Sequence, residues 1–92
     1  MLELSAVQKD ALKKRIRRVC CAMARKMGMT AAFTSTGIRV AQGPVAYVFD
    51  LKWNHLSNMW DLYHGDTWLA GRGQSYPSAI AYVMGHGVPH GN

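Results

Sequence analysis

Asp50 and Asp61, the adjacent Cys20 and Cys21, four scattered histidines and a run of cations near the start are the groups whose placement could do chemistry. If residues 54–57 form the loop of a hairpin, strand positions pair when their numbers sum to 111. Leu51 then faces Trp60, Phe49 faces Leu62, and Asp50 stands opposite Asp61. Two carboxylates so placed repel, and can hold a metal, share a raised pKa or receive a partner's arginine. The plainer alternative is a bulge that offsets them, or neutralisation by Lys52 and Arg39. Cys20 falls in an apolar stripe, whereas Cys21 falls on the cationic side, where Arg17, Arg18 and Arg25 would lower its pKa. No histidine and orienting carboxylate accompany it. Adjacent cysteines on one helix cannot form an ordinary disulfide with each other. His55, His64, His86 and His90 lack the clustered spacing of a zinc site, and no catalytic, metal or cofactor role is assigned. Gly71-Arg72-Gly73 before a helix is too short for a nucleotide fingerprint.

The cations carry the strongest signal. Residues 1–26 hold Lys9, Lys13, Lys14, Arg15, Arg17, Arg18, Arg25 and Lys26 against Glu3 and Asp10, and therefore the whole net charge of +6. From Met27 onward Arg39, Lys52 and Arg72 balance Asp50, Asp61 and Asp66. Such segregation points to an anionic partner. Lys13, Lys14, Arg17, Arg18 and Arg25, with Arg72 as an addition, are the expected contacts to nucleic acid or to an acidic protein surface. Exposed-sheet contacts are expected at Asp50, Asp61 and Tyr63. Trp53 and Trp60 read as core, while Trp68 and Tyr63 are placed equally well in the core or outside it.

These residues need elements to hold them. Leu12, Ile16, Val19, Cys20, Met23 and Met27 recur at helical spacing within an arc of about 100°, predicting a helix from Ser5 to about Met27, stopped by Gly28. Thr30 to Val40 reads as extended, with Gly37 a break, and Gly43-Pro44 as a turn. Val45 to Trp53 alternates strictly, so one face is buried. Further strands are expected at Asn58–Tyr63 and Thr67–Ala70. Ser75 caps a last helix carrying Tyr76, Ile80, Val83 and Met84, stopped by Gly85, and residues 86–92 form a flexible tail. The fold class is α+β: an N-terminal helix, a three- to four-stranded antiparallel sheet and a C-terminal helix, both helices on one face.

Ninety-two residues suit a single domain. No stretch has the 18 or more apolar residues of a membrane span, and no basic segment leads into an apolar run, so a cytoplasmic protein is expected. Gly43-Pro44, the strand through Phe49 and the Gly71-Arg72-Gly73-Gln74-Ser75 step resemble the double-stranded RNA-binding domain over about residues 43–83. The resemblance implies helix–three strands–helix order. The family's lysines at the start of the last helix are replaced here by Tyr76-Pro77-Ser78. The leading expectation is a non-enzymatic domain whose basic helix docks on nucleic acid. The alternative is a small inhibitor or adaptor of the kind phages encode to block host proteins or CRISPR complexes, using the basic helix or the sheet face at Val48, Met59, Asp61 and Tyr63. An enzyme built on Asp50 and Asp61, or on Cys21, is the third.

Overall fold

The computed structural model describes residues 3–89. Helix α1 (Ala6–Lys26) starts at a capping box: Ser5 Oγ accepts from the Gln8 N–H, and the Gln8 side chain accepts from the Ser5 N–H. This satisfies two of the N–H groups that a helix start leaves without partners. Five strands follow: β1 (Thr30–Phe33), β2 (Gly37–Gln42), β3 (Val45–Asn54), β4 (Met59–His64) and β5 (Thr67–Ala70). They pair antiparallel in chain order, and α2 (Tyr76–His86) ends the fold. The expected element order is therefore present, with one more strand. The extended segment from Thr30 to Val40 is in fact a hairpin, β1 folding back onto β2 ahead of Gly37.

Gly37 permits this return. A Cβ built there would lie 1.9 Å from the Phe49 carbonyl oxygen and 3.0 Å from the Asp50 Cα. The β2 backbone thus approaches β3 more closely than any other residue allows.

The β3–β4 register differs from the sequence expectation. The turn occupies residues 55–58, so Leu51 pairs with Leu62, Trp53 with Trp60, Asp50 with Tyr63 and Lys52 with Asp61. Asp50 and Asp61 are not opposite each other. Asn54 Oδ1 accepts from the Leu56 and Ser57 N–H groups, which makes Asn54 the residue that opens the turn.

Both helices lie on the face formed by Ile38, Val40, Phe49, Leu51 and Leu62. From the helices, Ile16, Cys20, Cys21, Ala24, Ile80 and Val83 complete the core. Each of the larger side chains fully buried here contributes about 1.5–3 kcal/mol by leaving water. The buried side of α1 is rolled relative to the predicted stripe: Cys21 and Ala24 are inside, while Val19 and Met27 are each 50 % exposed. Small side chains at 21 and 24 let the helix sit low over β1 and β2. Gly85 does not stop α2, which continues to His86 and is capped at Gly87, whose φ of 87° suits glycine. Of the predicted tail, Val88 packs on the core, and residues 90–92, with His90, lie outside the described residues.

The helices run in the same direction. Near their starts both meet Trp60: its indole N–H donates to the Lys9 carbonyl (2.9 Å), and its own carbonyl accepts from Tyr76 Oη (2.7 Å). At the far end Gly87 comes close to Tyr47.

Candidate nucleic-acid interface

The cations of α1 divide into two sets. The inward set lies over aromatic rings of the sheet. Lys9 Nζ is 4.8 Å from the centre of a Trp53 ring, Lys13 Nζ is 5.0 Å from Trp60, and the Arg17 guanidinium is 4.5 Å from Phe33. The rings are themselves arranged for this, Trp53 and Trp60 meeting edge-to-face at 5.4 Å. Each such contact is worth about 0.5–1 kcal/mol at a partly wet site. Lys9 also pairs with Glu3, whose carboxyl is held below its usual range by Lys9 and by the Trp53 indole N–H.

Two arginines also cover the outer β1–β2 hairpin. Arg17 Nη1 donates to the Thr34 carbonyl (3.0 Å) and Arg25 Nη2 to the Ala31 carbonyl (2.9 Å). Arg17 Nε is buried without an acceptor, so this arginine serves packing at some polar cost. Arg72 donates to the Ser57 carbonyl (3.1 Å), tying the step before α2 to the β3–β4 turn.

The outward set is different. Arg15, Arg18 and Lys26 are exposed and have no internal partner among the described residues. Lys14 is exposed and pairs with Asp10 one turn away (3.2 Å), an exposed pair worth only about 0.3–0.5 kcal/mol. The Arg25 head group is exposed beside Ala31. From Arg15 to Lys26 the helix rises about 16 Å. From Lys14 to Lys26 the water-facing side carries five cations and no acid.

Of the contacts expected from sequence, Lys14, Arg18 and Arg25 are therefore on this face, and Lys13 and Arg17 are turned inward. Arg72 is exposed but stands apart, at the β3–β4 turn. Arg15 and Lys26 belong to the face and were not singled out by sequence. Their signal was their spacing from Arg18, three positions before it and eight after.

The sheet face away from the helices is less suited to anions. It carries Arg39 and Lys52 against Asp50 and Asp61, so its formal charge sums to zero, with Lys52 opposite Asp61 and Arg39 opposite Val48. Asp61, expected in the open, is only 7 % exposed and accepts from Asn54 Nδ2 (3.0 Å). Gly71 lies against it: a Cβ there would fall 2.5 Å from Asp61 Oδ1 and 3.2 Å from the Trp68 ring. Asp50 is half-buried and accepts from the Thr36 hydroxyl. Tyr63 is also half-buried, its ring covered by Lys52 Nζ at 4.4 Å. Trp68 remains 47 % exposed.

Cys21 is not the activated thiol that its sequence neighbours suggested. Burial pushes its pKa up, against a weaker downward pull from Arg25 and Arg17. Burial also pushes the Cys20 thiol up to about 12, with Cys21 adding to the effect. Both thiols should thus stay unlabelled by an aromatic disulfide reagent at pH 8 in the folded protein, and react fully in guanidinium chloride. Rapid labelling of one thiol in the native state would restore Cys21 as a reactive group.

Among the described residues no three His, Cys, Asp or Glu side chains come together as a metal site, and no helix is long and apolar enough to cross a membrane. What the chain shares with the double-stranded RNA-binding domain is helix–strands–helix order, with five strands here in place of three. No family model, curated protein or solved structure matches the chain.

Proposed function

We propose that this is a non-catalytic domain that docks on the phosphate backbone of a nucleic acid through the outer face of α1. The reading rests on one observation: Arg15, Arg18 and Lys26 stand in water without an internal partner, next to Lys14 and the exposed head of Arg25. Like charges at helical spacing repel, by a few tenths of a kcal/mol per pair, and a polyanion relieves that repulsion. Arginine adds a planar fork of donors that matches phosphate oxygens.

Nothing on this face resembles a base-reading set, so contacts are to the backbone and binding is insensitive to sequence. Four phosphate contacts, at Arg15, Arg18, Arg25 and Lys26, release counterions. Raising salt from about 50 to 200 mM should then weaken binding roughly 50-fold on a single strand and 150-fold on a duplex. Fluorescence anisotropy with labelled 20-nucleotide probes measures this slope. Affinity that does not change with salt would refute the reading.

A further inference from the structure

An open groove of about 170 Å³ lies where α1 passes the start of α2. Its walls are Leu12, Ile16 and Val19 from α1, Met59 from β4, and Tyr76 and Pro77 from α2, with Arg15 as its charged member. The lining is almost wholly apolar, and Val19 is half-exposed within it. Tyr76 is fixed as a wall by its hydrogen bond to the Trp60 carbonyl. No lining residue is acidic, and α2 contains no Asp or Glu.

The groove is continuous with the outward cations, because Arg15 belongs to both. A ligand suited to it has a flat or apolar part for the groove and an anionic part for Arg15 and Arg18. Nucleotides in a single strand have both parts, joined by one sugar. In a duplex the faces of the bases are covered by stacking, and only base edges, sugars and phosphates reach the protein. We propose that the groove takes one unstacked base of a single-stranded nucleic acid whose flanking phosphates sit on Arg15 and Arg18.

The base lies against the Tyr76 ring and the Arg15 guanidinium plane, the two surfaces on which unpaired bases stack. Its polar edge faces the open mouth of the groove and keeps its water, so the apolar lining leaves no hydrogen bond unmade. The lining offers few polar groups to tell one base from another, so this contact is tolerant of sequence. The sheet's outer face is a poorer platform, because Lys52 covers Tyr63 and the charges there cancel.

This inference rests on the backbone reading of α1, and the test separates the two. Anisotropy is measured with a thymidine 20-mer, with the same strand carrying abasic sites throughout, and with heparin as competitor. A single well-placed stacked base is worth roughly tenfold or more in affinity, so the abasic strand should bind about tenfold more weakly while heparin still competes. A 20-mer carrying 5-iodouracil, irradiated and digested, should crosslink at Tyr76 or Met59, the residue being located by fragmentation of the crosslinked peptide. The half-exposed Val19→Gln should weaken binding of the thymidine strand several-fold and leave binding of the abasic strand unchanged.

Equal affinity for the intact and abasic strands, or a crosslink at Trp68, overturns the groove assignment and leaves the α1 face standing. If neither strand nor heparin binds, both readings fall, and an acidic protein surface becomes the partner to test.

Discussion

Replacing Arg15, Arg18 and Lys26 together by glutamate is expected to weaken nucleic-acid binding at least 100-fold, by order of magnitude, at about 0.1 M salt. Three counterion-releasing contacts disappear, and three carboxylates then repel the remaining phosphates. The three side chains are exposed and make no hydrogen bond or ion pair among the described residues, so the variant should keep its circular dichroism and its Tm within a few degrees. The inward cations should behave in the opposite way. Lys13→Ala and Arg17→Ala remove contacts to Trp60, Phe33 and the Thr34 carbonyl, and should lower stability by about 1 kcal/mol with little change in affinity. If the affinity loss followed Lys13 and Arg17 and spared Arg15, Arg18 and Lys26, the division of α1 into two faces would be the wrong basis for its function.

The largest expected effect on stability comes from a single methyl group. Gly37→Ala puts a Cβ where the Phe49 carbonyl oxygen already stands, and the other near atoms belong to β3 backbone too. No side chain can rotate away, so β2 and β3 must separate where β2 begins. Overpacking commonly costs about 1–3 kcal/mol, and a collision with fixed backbone belongs at or beyond the upper end. At about 4–8 °C per kcal/mol for a domain of this size, Tm should fall by more than about 12 °C in a calorimetric scan. A fall of less than about 4 °C would mean that the close approach of β2 to β3 is not present in solution.

Much of this fold is legible in the sequence. Ser5 and Gly28 bracket α1 because capping and chain reversal need those residue types there. The strict alternation from Val45 to Trp53 identifies β3, since only a half-buried strand keeps that period. The β3–β4 register is harder to read, because moving a four-residue turn by one position changes every pairing and leaves the hydrophobic pattern acceptable. The cue was local: Asn54 can accept from the N–H groups that follow it, and Asn58 tolerates the left-handed φ of 55° that closes the turn.

The split of the cations is harder still. Lys and Arg carry long apolar stems, so periodicity does not tell whether the stem lies along a neighbouring ring or extends into water. Sequence placed Lys13 and Arg17 with the outer set for that reason. The tryptophans at 53 and 60 and the small residues at 21 and 24 together mark the inward side, but only once the sheet has brought them under α1.

Because α1 and α2 both start at the Trp60 end, their backbone dipoles point the same way. Each helix start behaves as roughly half a positive charge, and each end as half a negative one. The far end therefore offsets part of Arg25 and Lys26, while the start of α2, at Tyr76 and Pro77, lies across the groove from Arg15. The helix ends trim the field at Lys26 without reversing it, and the positive potential runs along the whole outer side of α1, past the mouth of the groove. A polyanion diffusing toward the protein is turned to meet that side first, before any atom has made contact.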